Sequence, residues 1–220
     1  MRKFLVLAAL LALPSASRAD CADDGGTIPR VVTPKGTSLA GGGGFLTAEQ
    51  PRARNPDGTF EKTPVYRVKG QTAKETTLAP GLVLTTVTVT DQKTPIELLD
   101  DQAEVVSSVI GSKAVVTEFK APAVKAVHSA LRRWGTKVRV ELSAPVLKGT
   151  YALVVADAKG APRVFIPVTE GATSIEEQTG HCTSQPAGTQ PTNNGDKVTL
   201  FWVDVAGRVS ARTKPFVVAE

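Results

Sequence analysis

The chain has 220 residues, of which 41% are hydrophobic, 21% charged and 5% aromatic, with a formal net charge of +5. That composition is too hydrophobic and too sparsely charged for a disordered tail, and the length suffices for one large domain or two of about 100 residues. With 2 His, 2 Cys, 1 Met and 2 Tyr, it holds little material for metal clusters or acid–base chemistry.

Residues 1–19 read as a secretory signal peptide. Arg2 and Lys3 precede an unbroken apolar run from Phe4 to Leu13, Pro14 breaks it, and Ser17-Arg18-Ala19 puts small residues at both positions that specify a cut. The run is too short to span a bilayer as a helix, and no other segment approaches the length a transmembrane helix needs. Asp20 stands where a lipoprotein signal would need a small residue before Cys21, so ordinary cleavage after Ala19 is expected. Removing Arg2, Lys3 and Arg18 leaves 23 bases against 21 acids, a net charge of +2. A nucleic-acid partner thereby loses its main support.

Cys21 and Cys182 are the only cysteines. An even count in an oxidising compartment favours a disulfide between them, which in the chain-entropy model stabilises by about 5 kcal/mol. The alternative is a thiol nucleophile at Cys182 with His181 as its base. Neighbours on an extended chain point to opposite sides, so the disulfide is the preferred reading.

Residues 22–60 are rich in turn formers, including Gly41-Gly42-Gly43-Gly44 and Asn55-Pro56-Asp57-Gly58, interrupted by Ile28 to Val32 and by Phe45-Leu46. The glycine run lacks the Gly-Lys-Ser/Thr of a phosphate loop and reads as a loop or strand lead-in. From Pro64 onward the pattern has period two. Leu82 to Thr90 is β-branched almost throughout, and Lys137 to Leu142 alternates polar and apolar. Val198 to Val205 is apolar on both faces, as a central strand is, and Pro167 marks Val164 to Val168 as an edge.

Two segments carry helix signals. Thr94-Pro95-Ile96-Glu97 has capping-box form, and Val124, Val127, Leu131 and Trp134 have helical spacing. Against these stands an internal comparison. Val87 to Pro95 reads like Leu153 to Pro162, each a strand followed by Asp-x-Lys and a Pro. Such self-similarity suggests duplicated units. It places Thr94-Pro95 in a hairpin turn and makes Pro122 to Arg133 a strand, so strands are expected over 95–110 and 122–134.

Trp202-Val203-Asp204-Val205-Ala206-Gly207-Arg208-Val209-Ser210 resembles the closing hairpin of bacterial Ig-like and fibronectin type III-like domains. Tyr151 to Val155, followed by Asp157 and Gly160, resembles a middle hairpin of the same sandwiches. The resemblance covers about residues 121–220 and more faintly 27–120, where no closing hairpin stands out. It implies a β-sandwich used for display, spacing or binding, and it carries no catalytic residue across. The expected architecture is all-β: a leader over 1–19, a first β-rich unit over 20–120 and an Ig-like sandwich over 121–220.

Chemistry is sparse. His128 and His181 lack metal-ligand spacing, Asp23-Asp24 and Asp100-Asp101 lack the oxygens of an EF-hand, and no Gly-x-Ser-x-Gly elbow is present. No cofactor or metal is expected. Lys113 to Arg163 holds ten bases against Glu118, Glu141 and Asp157. Arg132, Arg133, Trp134, Lys137 and Arg139 form the candidate binding patch, for a protein or an anionic envelope polymer. Trp134 reads first as a core plug. The expected function is a non-enzymatic binding or structural module, periplasmic or secreted. Its rivals are a hydrolase built on Cys182 and His181 or on His128, and a chaperone or inhibitor that donates a strand edge.

Overall fold

The computed structural model describes residues 25–114, 119–132, 135–179 and 185–220, and the regular structure among them is β-strand throughout. The first half supplies β1 (Thr27–Val31), β2 (Thr37–Ser38), β3 (Gly44–Pro51), β4 (Arg67–Val68), β5 (Lys74–Ala79), β6 (Leu82–Thr86), β7 (Ile96–Leu99) and β8 (Val105–Ile110). The second supplies β9 (Val124–Arg132), β10 (Gly135–Leu142), β11 (Thr150–Asp157), β12 (Pro162–Pro167), β13 (Ser174–Thr179), β14 (Lys197–Asp204) and β15 (Phe216–Val217).

These strands make four sheets. Their orders are β2-β8-β7-β4, β1-β3-β6-β5, β12-β11-β14-β15 and β13-β10-β9. Pairing between named strands is antiparallel, apart from the short parallel pair of β2 with β8. The helix signals lose in both segments: 96–110 holds β7 and β8, and 124–132 is β9. In each case period-two burial against a facing sheet outweighs the local cap or spacing.

Alternation decides where each strand sits. On β10, Thr136, Val138, Val140 and Leu142 are buried, while Lys137, Arg139 and Glu141 turn outward. On β3, Phe45 enters one core while Leu46 and Ala48 enter another. On β14, Val198, Leu200 and Trp202 face one core and Phe201 and Val203 face the other. The Pro-bounded β12 is an edge, as Pro167 required.

The cores order the sheets into a stack. Leu39, Phe45, Leu98 and Val109 fill the first sandwich. Val127, Val138, Leu153, Ile166, Leu200 and Trp202 are among those filling the second. A third cluster joins Leu46, Ala48, Ala79 and Leu82 to Ala152, Val154, Ala156, Phe165, Phe201 and Val203. Sheet β1-β3-β6-β5 therefore packs face to face on sheet β12-β11-β14-β15. The large side chains of that layer contribute on the order of 10 kcal/mol of apolar burial.

One turn design recurs at four hairpin tips. Asp157 N donates to Ala161 O at 2.9 Å and Gly160 N donates back to Asp157 O at 3.0 Å. Asn55–Thr59, Asp100–Glu104 and Asp204–Arg208 make the same pair of bonds. Asp100, Asp157 and Asp204 each also accept two main-chain amides on Oδ1, from the second and fourth residues after them. The fourth residue of each turn has positive φ: Gly58, Gly160, Gly207 and, without the freedom of glycine, Ala103 at 63°.

This corrects the internal comparison. Asp91 accepts amides from Lys93 and Thr94, but the chain then crosses from β6, in one sheet, to β7, in another, so Thr94-Pro95 is not a hairpin. Pro95 has no N–H for the bond that the residue four after the aspartate makes elsewhere. The counterpart of Asp157–Ala161 is Asp100–Glu104. The β-branched run also leaves its sheet early, at Thr86, and Val87 turns into the first core.

Candidate functional site

Among the residues singled out from sequence, Cys21, Cys182, His181, Arg133 and Trp134 lie outside the described residues. Arg132, Lys137 and Arg139 share the outer face of sheet β13-β10-β9, since Arg132 opposes Gly135, Ala130 opposes Lys137 and His128 opposes Arg139. Their charges are largely matched. Lys137 pairs with Glu176 at 2.5 Å, and Arg139 pairs with Glu141. The Lys137 and Arg139 contacts hold the Glu176 and Glu141 carboxyls below their ordinary range. The patch is a mosaic of ion pairs, with Arg132 exposed at its end.

His128 sits on this same face. Its Nδ1 lies 3.2 Å from the main-chain oxygen of Glu220 and its Nε2 lies 3.9 Å from Glu141 Oε1. The adjacent Ser129 hydroxyl points the other way and donates to Thr192 O at 2.5 Å in the interior. Ala219 N donates to Val127 O, and Ser129 N donates to Ala219 O, so the tail is bound alongside β9. His128 thus lies against residues 219–220, which the main chain of Val127 and Ser129 pairs to β9.

A cleft of about 630 Å³ opens where the two sandwiches meet. It draws on the end of β3, the start of β11, the edge strands β12 and β13, and residues 185–186. A local irregularity gives it an aromatic wall. The β11–β14 register shifts between Thr150 and Ala152, a bulge at Tyr151. Alternation would send Tyr151 into the second core with Leu153 and Val155. The bulge re-aims it to pack against the layer between the sandwiches. The Gln50 side chain hydrogen-bonds its hydroxyl, and burial raises its pKa above the usual phenol range.

Phe165 and Pro167 reach the cleft from the face of β12 that looks away from Val164 and Ile166. Pro186 forms the rim. It rests on the β5–β6 turn, where a Cβ on Gly81 would lie 2.3 Å from Pro186 Cβ, and Gly81 has φ of 72°. Glycine is thus required there by both space and backbone conformation.

The acidic lining comes from both sandwiches. Glu49, whose main-chain N donates to Gly81 O, accepts a hydrogen bond from Thr27 Oγ1 at 2.5 Å. Glu176 and Glu177 are neighbours with opposite fates on β13. Glu176 opposes Arg139 on the outer face, whereas Glu177 opposes the fully buried Val138 and so turns inward, half-buried, to the cleft. It accepts from Gln185 Nε2 at 3.0 Å. Burial pushes its carboxyl above the ordinary range. Sequence reasoning passed over Tyr151 and Glu177 as site residues. For Glu177 a signal existed: period two puts it on the same face as the buried Ile175 and Thr179.

Among the described residues no three His, Cys, Asp or Glu side chains gather as a metal site. No described helix is long and apolar enough to cross a membrane.

No family model matches the chain, and no curated protein matches it. Among solved structures it is similar to a biofilm-associated protein, BSP domain, at 12% identity and a TM-score of 0.31, over 88% of this chain and 29% of that one. It is also similar to the adhesin InvE of Yersinia pseudotuberculosis, at 13% identity and a TM-score of 0.18, over 88% of this chain and 60% of that one.

Proposed function

We propose that the protein is an exported, non-enzymatic binding module of the cell envelope or extracellular space, with the cleft between its sandwiches as the ligand seat. The observation that carries this reading is the bulge at Tyr151, which breaks the alternation of a central sheet to place an aromatic ring at the cleft. Bulges persist where they aim a side chain for a purpose. The cleft walls belong to the interior strands β3 and β11 and the edge strands β12 and β13, all anchored in packed cores, so the seat is preorganised and a ligand need not order it. The leader-like order of residues 1–19 supports export. An anionic polymer on the outer face of β9 and β10 gains less, because Glu176 and Glu141 already answer Lys137 and Arg139.

The test immobilises the full chain and challenges it with envelope and medium fractions from producing cells. Retention of a partner should fall about tenfold for Tyr151→Ala, a change of roughly 1.4 kcal/mol, and persist for Lys137→Ala. Retention that ignores Tyr151, or turnover of a substrate that is abolished by changing His128, contradicts the reading.

A further inference from the structure

Five acidic side chains that are partly or wholly withdrawn from water each meet a base. Glu61 meets Arg30, Glu97 meets Lys69, Glu141 meets Arg139, Asp196 meets Arg163 and Asp204 meets Arg208. Four other partly withdrawn acids among the described residues have no base: Asp100 and Asp157, each of which instead accepts two main-chain amides on Oδ1 in its hairpin tip, and the pair Glu49 and Glu177. Among the described residues, Glu49 and Glu177 form no ion pair and no lysine or arginine lines the cleft that both border. Among the described residues their hydrogen bonds come from neutral groups, the Thr27 hydroxyl for Glu49, and the Gln185 side-chain amide and the Gln178 main chain for Glu177. A half-buried carboxylate without a counter-charge is costly, and the cost is relieved when a cation arrives.

The rest of the lining narrows what that cation is. A divalent metal bound directly by the chain would need several oxygen ligands, whereas Phe165, Pro51, Pro167 and Pro186 offer apolar surface and no three His, Cys, Asp or Glu side chains gather among the described residues. Two of the three side-chain amides that could serve a sugar's hydroxyls are engaged: Gln185 Nε2 donates to Glu177 and to Gln178 O at 3.2 Å, and Gln50 is bonded to Tyr151. An aliphatic stem ending in a compact charge fits this arrangement. The stem lies on the proline and aromatic surface, and the charged end meets carboxylates beside an aromatic ring.

Resting on the reading of the cleft as the ligand seat, we infer that it takes a lysine side chain presented by a partner polypeptide, with Glu49 and Glu177 as its counter-ions and Tyr151 beside its stem. The partner is thus a protein with an exposed lysine on an extended or loop segment, and recognition is by charge as well as shape.

The experiment titrates the full chain with an acetyl-Gly-Lys-Gly-amide peptide, followed by NMR of the tyrosine rings and by calorimetry. The matched probes are the same peptide with norleucine in place of lysine, and glucosamine. The lysine peptide should bind and shift the Tyr151 ring signals, and norleucine should weaken binding by about tenfold or more. Glu177→Gln keeps an oxygen to accept from Gln185, so it should fold, and it should lose binding to a similar extent. Glu176→Gln, on the outer face, should leave binding unchanged, and melting curves on both variants exclude unfolding as the cause. Equal binding of the norleucine peptide overturns the inference while leaving the seat intact. Tighter binding of glucosamine, an unaffected Glu177→Gln variant, or no binding of the lysine peptide also overturns it; the seat is then judged separately by the Tyr151 dependence of partner retention.

Discussion

Thr33 donates its hydroxyl to the main-chain oxygen of Val205 at 2.6 Å, joining residues 172 apart in sequence. The Thr33 hydroxyl oxygen in turn accepts the amide of Leu46 at 2.7 Å, and the Thr33 carbonyl accepts from Ser107 Oγ at 2.6 Å. Around it, Gly44 N donates to Ala206 O, and Arg208, paired with Asp204, donates to Ala40 O. The closing hairpin of the second sandwich is thus built into the first. This gives the glycine run its meaning, since a Cβ on Gly43 would lie 2.3 Å from Ala206 O. Thr33→Val keeps the shape and strands two main-chain groups, the buried amide of Leu46 and the partly buried carbonyl of Val205. It should cost about 2–4 kcal/mol and lower Tm by roughly 5–12 °C, with Thr33→Ser retaining most of the stability. Thermal melts of the three proteins check this.

Ala103 occupies, at φ of 63°, the turn position that glycine fills in the other three hairpin tips. A left-handed conformation costs an L-residue about 1–2 kcal/mol, part of which glycine returns as extra freedom of the unfolded chain. Ala103→Gly should therefore stabilise by about 0.5–1 kcal/mol, while Gly160→Ala should destabilise by a similar amount or more. Denaturant midpoints at unchanged m-value are the measurement.

The layer between the sandwiches makes the halves interdependent. Residues 121–220 alone would expose Val154, Phe165, Phe201 and Val203 together with Ala152 and Ala156. Isolated apolar patches of that kind drive association. The half-chain should be oligomeric or bind a hydrophobic dye, whereas the full chain should melt in one transition. Light scattering and calorimetry on both report the outcome.

Glu177 also sets a pH dependence. Its folded pKa is raised, so the folded chain holds this proton more tightly than the unfolded chain does. Its contribution is neutral while both states are protonated. It becomes destabilising as pH rises from the ordinary carboxylate range through the raised value. Glu49 and Tyr151 across the cleft supply no compensating positive charge. Glu177→Gln should thus gain stability over the wild type as pH goes from 4 to 7, reaching about 1–3 °C in Tm. Asp196 has the opposite sign. Its pKa is lowered chiefly by the Asn193 amide, so its contribution is lost as pH falls through that value. Melts across the pH series separate the two.

Much of the fold was legible because it rests on local alternation. Lys137 to Leu142 and Val198 to Val205 announced one buried face and two buried faces, and Pro167 announced an edge. The Asp-x-x-Gly turn at Asp204 was readable because one carboxylate and one glycine define it. The site was not legible in that way. The aim of Tyr151 depends on one residue of slippage between β11 and β14, which leaves no mark in composition. The cleft collects residues from 49 to 186, so its acidity appears only when two sandwiches stack. The basic run near Arg132 was conspicuous in sequence, yet Lys137 and Arg139 take their acids from across the sheet and from the same strand.

The most direct test of the seat is a light-activated crosslink made in producing cells. Tyr151 is replaced by p-benzoylphenylalanine in one strain and Lys137 by the same residue in another. The account predicts a discrete adduct from position 151 and none above background from position 137. Adducts from 137 with none from 151 would move the binding surface to the outer face of β10 and contradict the account.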